Sequence, residues 1–593
     1  MAKKSKKRKK VKGDAAIDAV TAHANKPSVL TLPIVHLGVL ALMCTLVYSP
    51  TFHAPFYLDD FKQIIENPVI QGSLDLANIA SYSTARFVGY LTFAFDHSVY
   101  GNQAKGFHIT NSIIHLLSGW ALYGLLMALI VSPALRSQKS RLIWLPLIAS
   151  LIFVLHPLQT QAVTYIVQRL ASLTGMLYIA TMAFYAWGRV SSKNRFFILS
   201  FTCALLACFT KQNALTLPAA VLLLELLFFR QLSAKQVWTL FASTIIATVV
   251  LVVLINVDPI DQLTRESPVI SRPDYFATQL LVLWRYIGLF GFPVNQRLDY
   301  DVALQSDWLD PVILLALALH AGMILAAFRF WNKIPLLSFA ILFFYLSHLI
   351  ESGFIPITDL MFEHRTYLPN VGLSILAATG LVSLLRVPAL KPVFLIATPV
   401  IIVLASVLTF ERNQLWADPI GFLTAETRLS PGKERVWTSL GKELMRRKQL
   451  EEASAAFSNA LDLARTDEGM EVRPATLMNA ILLHHYLGQF DKAFELQHLL
   501  PPNSISVVER STLHEVRGIS FLNLQKPELA KKEFTESIRI SPNLNSEAGL
   551  ATVALLQGNP QNAESRARQV LSQEPKNILA TRVLGELGLS INR

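Results

Sequence analysis

Residues 30–68 join a long apolar run to a pair of acids: LTLPIVHLGVLALMCTLVYSPTFHAPFYLDDFKQIIENP. The run is about twenty residues long, which is enough to cross a bilayer as a helix. Asp59 and Asp60 follow shortly after it ends. Ionisable side chains beside a membrane span are costly and are often functional, so this stretch predicts a membrane protein with a polar site at the end of its first span.

The composition of the 593-residue chain extends this interpretation. Hydrophobic residues make up 52% of the chain and charged residues 16%, which indicates a polytopic membrane protein rather than a soluble one. The net charge is +12, and the segment from Lys3 to Lys12 holds eight basic residues without an acid. Such a run is typical of a cytoplasmic flank, so we predict a basic cytoplasmic tail at residues 1–29 and no nucleic-acid partner.

Apolar runs divide residues 30–410 into about eleven predicted transmembrane helices. They lie near residues 30–50, 108–131, 142–162, 170–188, 196–212, 214–229, 237–257, 311–328, 334–352, 371–387 and 392–410. Basic loops on the cytoplasmic side place the loops 51–107 and 258–310 outside, with everything after residue 410. The apolar segment 276–293 is then expected to lie along the outer interface or to re-enter. The three cysteines lie in apolar segments and no Asn-x-Ser/Thr acceptor occurs, which favours a bacterial inner membrane.

The last third of the chain has a different pattern, with charged residues and helical periodicity. Tetratricopeptide (TPR) offsets are met by Trp437, Leu440, Gly441, Ala453, Phe457 and Ala460, again by Gly518, Phe521, Ala530, Phe534 and Pro542, then by Gly558, Ala563 and Pro575, and weakly by Gly488 and Ala493. We predict a linker at 411–433 and a TPR α-solenoid at 434–593, after an all-α membrane domain. Such repeats usually form binding surfaces, although a plain helical cap without a ligand is the alternative.

Polar residues gather at the predicted outer ends of the spans. The candidates are Asp59, Asp60, Arg86, His108, Asn111, His156, Arg169, Arg285, Arg297, Asp299, Asp301, Glu363, His364, Arg365 and Tyr367. The predicted topology puts all of them on one side of the membrane, so we expect them to meet at one interfacial cavity. A carboxylate there can take a proton from an attacking hydroxyl, and arginines and histidines can hold a phosphate.

Each candidate also has a structural interpretation. The acid pair is compatible with a solvated loop. His108 and Asn111 are compatible with helix packing, His156 with a helix cap, and Arg285 and Arg297 with interfacial anchoring. Histidine spacing typical of a closed metal site is missing from the sequence, as are phosphate-binding loops, and we predict no metal site.

Four motifs resemble one known family. FYLDDFKQIIENP, GFHITNSIIHLL, LHPLQTQAVTYIVQR and FEHRTYLPNVG, followed by the repeats, are similar to the transmembrane-and-TPR-containing O-mannosyltransferases and their bacterial relatives. The resemblance covers nearly the whole chain after the basic tail. It implies a GT-C glycosyltransferase fold, a sugar donor carried on polyprenyl phosphate, and a protein hydroxyl acceptor outside the membrane.

The resemblance also implies roles for individual residues. Asp59 and Asp60 match the family's acidic pair, in which one acid is the general base and the other orients the acceptor or the donor. The predicted donor- or phosphate-binding residues are Arg86, His108, Asn111, His156, Arg169, Arg285, Arg297 and Arg365. The predicted acceptor or supporting residues are Asp299, Asp301, Glu363, His364 and Tyr367. Gln161 and Ala171 stand where eukaryotic members carry acids, which disfavours a divalent metal.

The sequence therefore predicts a multi-pass glycosyltransferase of the bacterial inner membrane. Its expected partners are membrane lipid, a lipid-linked sugar and an acceptor protein bound by a periplasmic TPR domain. Two alternatives stay open: a glycan or lipid acceptor, and a non-catalytic TPR scaffold for envelope or pilus assembly. The clustered polar residues favour the enzyme, because a scaffold has no need of them.

Overall fold

The computed structural model describes residues 32–229, 270–353, 355–466, 469–470, 472–501 and 504–590, with scattered positions between 233 and 250. These residues are mostly helical. The short strands Arg465–Thr466 and Gly469–Met470 pair in antiparallel. The predicted all-α fold class is confirmed. The predicted tail at 1–29 lies outside the described residues, as does most of the predicted span 237–257.

The chain divides into two compact units, and the first ends at residue 419. Its α-helices are Pro33–Tyr48, Pro68–Gln71, Leu76–Tyr82, Phe87–Tyr100, Ala104–Ile130, Leu145–Leu155, Thr160–Val163, Arg169–Ser191, Asn194–Cys208, Leu217–Leu224, Arg272–Gly291, Pro311–Arg329, Pro335–His348, Pro369–Leu384 and Lys391–Ala417. Short 3-10 or π turns lie between several of them, including Phe61–Ile65, Thr84–Arg86, Pro157–Gln159, Ile166–Gln168, Gln212–Thr216 and Glu363–Thr366. These turns carry many of the candidate residues.

Six helical segments in the described part are long and apolar enough to cross a membrane: Pro33–His53, Ala104–Ile130, Ile166–Ser191, Gln212–Phe229, Pro311–Arg329 and Pro388–Ala417. A seventh is possible if Leu145–Leu155 and Pro157–Val163, which meet at 56°, form one bent span. Shorter apolar helices at Asn194–Cys208, Pro335–His348 and Pro369–Leu384 coincide with three further predicted spans. These helices indicate a multi-pass membrane protein, while the count of eleven stays a prediction.

Glycines let the helices of the first unit approach closely. A Cβ atom on Gly119 would lie 2.4 Å from the Val154 side chain, and one on Gly175 would lie 2.7 Å from the Tyr367 ring. Small residues serve this purpose in membrane bundles, where packing rather than water exclusion joins the helices. The first contact joins Ala104–Ile130 to Leu145–Leu155, and the second joins Arg169–Ser191 to Tyr367.

The second unit consists of consecutive helices. They are Pro419–Leu429, Glu434–Arg446, Leu450–Leu463, Pro474–Tyr486, Phe490–His498, Val507–Asn523, Pro527–Ile540, Leu544–Leu556, Pro560–Gln573 and Ile578–Glu586. A Cβ atom on Gly441 would lie 2.8 Å from the Phe457 ring, and one on Gly518 would lie 2.6 Å from the Phe534 ring. These are contacts between small residues and aromatics of paired helices, as the repeat pattern predicts. The segment predicted as a linker, 411–433, is largely helical.

Candidate functional site

The buried acid of the pair, Asp60, anchors the turn that follows the first span. Its side chain is fully inaccessible to solvent. One carboxylate oxygen accepts a hydrogen bond from the Tyr57 N–H at 2.9 Å, and the other accepts from the Val167 N–H at 2.7 Å. Burial raises the pKa of Asp60 to about 8, helped by the charge of Asp59 and opposed by the backbone N–H donors. Asp60 therefore ties the turn to the broken segment 156–168.

The exposed acid, Asp59, is held by its backbone and leaves its carboxylate accessible. Its N–H donates to the Tyr165 hydroxyl at 2.9 Å. In the described part of the chain, no hydrogen bond or ion pair engages the Asp59 carboxylate. Leu58, just before it, has a φ of 38°, a conformation that costs roughly 1–3 kcal/mol for a residue with a side chain. A strained turn thus presents a carboxylate that can accept a proton.

A chain of polar contacts leads from this acid turn, residues 57–63, to an arginine. The Tyr90 hydroxyl donates to the Gln63 side-chain oxygen at 2.6 Å. Arg86, which is half-buried, lies within hydrogen-bond reach of Tyr90. Buried Tyr90 therefore contacts both Gln63, at the end of the acid turn, and Arg86.

Arg86 is one member of a cationic cluster, which we define as Arg86, Lys211 and Arg365. The Lys211 ammonium lies 2.5 Å from one oxygen of Glu351, and the Asn213 amide donates to the other oxygen at 2.7 Å. Arg86 and Arg365 both lie close enough to Lys211 to act on its charge. Glu351 thus pairs directly with Lys211, and Arg86 and Arg365 lie in the surroundings of this lysine.

A backbone hydrogen bond joins the segments that carry Arg86 and Lys211. The Val88 N–H donates to the carbonyl oxygen of Phe209 at 2.9 Å. Each of these two residues is two positions from a cation of the cluster. A Cβ atom on Gly89 would lie 2.1 Å from the Leu170 side chain, so the missing side chain of this glycine lets the helix Phe87–Tyr100 pack against the helix Arg169–Ser191.

The residues of the turn Glu363–Thr366 contact three different neighbours. Glu363 is buried and accepts hydrogen bonds from the Arg297 N–H at 2.7 Å and from the Tyr300 hydroxyl at 2.6 Å. The His364 N–H donates to the Gln161 side-chain oxygen at 2.7 Å. Arg365 donates to the Asp359 carbonyl oxygen at 2.7 Å. Only the arginine of this turn belongs to the cationic cluster.

Arg169, a predicted phosphate-binding residue, is buried and already paired. Its guanidinium lies 2.6 Å from the carboxylate of Asp96, and both side chains are inaccessible to solvent. It also donates to the Asn111 side-chain oxygen at 2.5 Å and to the Phe107 carbonyl oxygen at 3.0 Å. These partners support a packing role for Arg169.

Four more candidates make buried packing bonds. The Nε2 atoms of His108 and His156 lie 3.0 and 2.9 Å from backbone carbonyl oxygens. The Asn111 amide donates to a third carbonyl oxygen at 2.9 Å. The Tyr367 hydroxyl donates to Ser118 at 2.9 Å. The geometry therefore favours the structural interpretation of His108, Asn111 and His156, and it shows Tyr367 in the same kind of buried contact.

The remaining candidates gather around the Tyr300 ring. Arg285 and Arg297 lie over this ring, with guanidinium carbons 4.9 and 5.6 Å from its centroid. Exposed Arg285 and Asp301 line a cavity of about 190 Å³, while Asp299 is buried. The predicted single cavity is thus divided among three regions: the acid turn with the cationic cluster, the buried packing bonds, and the surroundings of Tyr300.

Sequence reasoning missed three charged residues of these networks: Asp96, Lys211 and Glu351. Each lies within or beside an apolar run, and the criterion that selected the other candidates would have found them. Histidine, cysteine and carboxylate groups close enough to hold a metal ion do not occur in the residues that the structure describes.

These features define a class of protein: a multi-pass helical membrane unit with a buried polar network, followed by a helical-repeat unit.

The chain is 23% identical over 478 residues to protein O-mannosyl-transferase TMTC3 of Homo sapiens, covering 72% of this chain and 51% of the human protein. The Mus musculus protein of the same name is 21% identical over 605 residues, covering 92% and 61%. Protein O-mannosyl-transferase Tmtc3 of Drosophila melanogaster is 21% identical over 641 residues, covering 93% and 66%.

The resemblance to this family, predicted from four motifs, is confirmed by these relatives. The chain spans about half to two thirds of their length. No protein-family profile matches the chain.

Proposed function

We propose that this protein is a membrane glycosyltransferase that moves a sugar from a polyprenyl-phosphate donor to hydroxyl groups of proteins outside the cytoplasm. Its relatives are named protein O-mannosyl-transferases, which supports a sugar donor and a protein acceptor. The loop charges support a cytoplasmic N-terminus and a repeat unit on the outer side. The apolar surroundings of the cysteines and the lack of Asn-x-Ser/Thr acceptors support a bacterial inner membrane, whose outer side is the periplasm.

One observation supports this proposal: an accessible carboxylate lies on a turn that is connected to a cation by polar contacts. Asp59 is exposed on a strained turn, and contacts through Gln63 and Tyr90 connect that turn to Arg86. Glycosyl transfer from a lipid phosphate needs a base for the attacking hydroxyl and positive charge for the leaving phosphate. In this proposal Asp59 is the base and Arg86 contributes the positive charge.

The reaction that fits this arrangement is a single displacement. Asp59 accepts the proton of the acceptor hydroxyl while the hydroxyl oxygen forms a bond to the anomeric carbon. The bond from that carbon to the phosphate oxygen breaks, and the phosphate keeps the electron pair. The configuration at the anomeric carbon inverts. Asp60 is a positioning residue, because its carboxylate holds the turn through two backbone N–H groups.

The repeat unit is proposed to bind the acceptor protein. It forms a compact unit of its own after residue 419, and solenoids of paired helices generally present extended binding surfaces. In this proposal the first unit catalyses sugar transfer and the second unit selects the acceptor protein.

The test is sugar transfer by the full chain in detergent, from polyprenyl-phosphate mannose to a serine- and threonine-rich peptide. Asp59→Asn keeps the size of the side chain but removes a useful base, so transfer should fall roughly 10²–10⁴-fold. Glu66→Gln removes an exposed carboxylate from the neighbouring segment and should keep wild-type transfer. Undiminished transfer by Asp59→Asn would overturn the assignment of this base. Failure of the wild-type chain to transfer any lipid-linked hexose would favour the scaffold alternative.

A further inference from the structure

Resting on the proposed function, we infer that Glu515 of the repeat unit binds a cationic side chain, lysine or arginine, of the acceptor polypeptide. Glu515 lies on a row of alternate helices, which we call the helix row and define as Val507–Asn523, Leu544–Leu556 and Ile578–Glu586. Arrays of paired helices form extended binding surfaces. The inference adds a chemical preference to the acceptor binding proposed above.

Side-chain amides connect Glu515 to the next two helices of the row. Asn543, the N-cap of Leu544–Leu556, donates to a carboxylate oxygen of Glu515 at 2.8 Å. Asn545 lies within hydrogen-bond reach of the same carboxylate, and its side-chain oxygen accepts from the Asn577 amide at 2.9 Å. Asn577 is the N-cap of Ile578–Glu586. The amides therefore run along the helix row and end at one carboxylate.

This carboxylate has no ion-pair partner in the part of the chain that the structure describes. Two arginines of the same region pair with other acids. Arg517 lies 2.9 Å from Glu533, and Arg566 lies 2.6 Å from Glu547. The asparagine amides hold Glu515 by hydrogen bonds but are neutral, so they do not balance its charge. The Glu515 carboxylate is therefore suited to a cation supplied from outside the chain.

Partial burial makes such a cation more valuable. Glu515 is half-buried, and burial raises its pKa while hydrogen bonds from Asn543 and Asn545 oppose the rise. A charge that has lost part of its water attracts an opposite charge more strongly than an exposed one does. The amides also fix the carboxylate before binding, which lowers the entropy lost when a ligand is bound.

An aromatic ring near the carboxylate also suits a cation. Tyr486 ends the helix Pro474–Tyr486, which precedes the helix row, and its side chain is 61% exposed. Burial raises the pKa of its hydroxyl, and the charge of Glu515 adds to the rise. Lysine and arginine are attracted both to a carboxylate and to the face of an aromatic ring.

The experiment measures the binding of fluorescent serine- and threonine-rich peptides to the full chain in a neutral detergent. Each peptide carries one lysine, placed at every position in turn, and is compared with the same peptide carrying acetyl-lysine, because acetylation removes the charge. At one position or more, the wild type should bind the lysine peptide roughly 3–10-fold more tightly, a range between exposed and buried ion pairs. This lysine preference should weaken as salt is added.

Two variants separate recognition of charge from a structural role. Glu515→Gln should abolish the lysine preference and leave binding of the acetyl-lysine peptide unchanged. The side-chain oxygen of glutamine can still accept the hydrogen bond from Asn543, so the variant keeps the amide row. Glu515→Lys should favour a peptide with glutamate at the same position. Equal weakening of the lysine and acetyl-lysine peptides in Glu515→Gln would assign Glu515 a structural role and overturn the inference.

A matched control removes a carboxylate outside the helix row. Glu528 is exposed on the helix Pro527–Ile540 and accepts a hydrogen bond from Gln557 at 2.6 Å, and Glu528→Gln should keep the lysine preference. An equal loss in Glu528→Gln, or an unchanged preference in Glu515→Gln, would overturn the inference, while sugar transfer to the same peptides would leave the proposed function standing. If the wild type binds none of the peptides, the proposed acceptor binding by the repeat unit is wrong as well.

Discussion

The Arg169 guanidinium lies 2.6 Å from the Asp96 carboxylate, and neither side chain is accessible to solvent. This pair joins the helix Phe87–Tyr100 to the helix Arg169–Ser191. It also accounts for an arginine that the motif resemblance assigned to the phosphate. The charge of Arg169 is therefore balanced within the protein.

Breaking this pair should destabilise the first unit. Asp96→Asn leaves the buried guanidinium without its counter-charge, and the expected loss is about 3–5 kcal/mol. The apparent unfolding temperature of the purified chain in detergent measures it. The double variant of Asp96→Leu and Arg169→Met removes both charges and should be more stable than Asp96→Asn. A double variant no more stable than the single one would contradict a cost that arises from the unpaired charge.

Asp60 should make stability depend on pH. Its folded-state pKa is about 8, against about 4 for an ordinary aspartate. Between these values the folded chain binds more protons than the unfolded chain. The contribution of Asp60 to the free energy of unfolding is therefore complete below pH 4 and is lost as the pH rises through 8. Asp60→Asn should remove that slope between pH 5 and 9, measured by thermal unfolding. Glu66→Gln should keep it, and an unchanged slope in Asp60→Asn would contradict the buried, protonated carboxyl.

Two glycines of the helix Pro369–Leu384 offer a matched test of close packing. A Cβ atom on Gly372 would lie 2.5 Å from the Ala340 carbonyl oxygen. This oxygen belongs to a helix backbone, so it cannot move aside as a flexible side chain could. Gly372→Ala should cost roughly 1–3 kcal/mol. A Cβ atom on Gly380 would meet nothing within 4 Å, so Gly380→Ala should be neutral or stabilising by about 0.5–1 kcal/mol. Thermal unfolding of both variants in detergent measures the difference. Equal stability of the two variants would contradict close packing between Gly372 and Ala340.

The orientation of the chain is open to a direct test. A reporter fused to the C-terminus should be active only outside the cytoplasm, because the basic loops require an odd number of spans from a cytoplasmic N-terminus. The matched fusion after residue 192, at a loop predicted to be cytoplasmic, should show the opposite activity. A cytoplasmic C-terminus would separate the repeat unit from the proposed acceptor side.

Several properties of this protein follow from local patterns in its sequence. Apolar runs of sufficient length predict membrane helices such as Ala104–Ile130 and Pro311–Arg329, because length and hydrophobicity largely determine whether a helix can span a bilayer. The spacing of Gly441 and Phe457 predicts a helix pair in the same way, since the contact forms between close neighbours in the chain.

Tertiary structure alone decided which polar residues meet. Asp59 and Asp60 are adjacent in sequence, yet one is exposed and the other is buried, because the backbone of the distant segment 156–168 binds only one of them. Lys211 and Glu351 are separated by 140 positions and no local pattern links them. Their pairing depends on where helices cross, and helix crossing is set by the packing of the whole unit. The sequence thus specified the membrane helices and the repeats, whereas the folded bundle selected the charged groups that share a site.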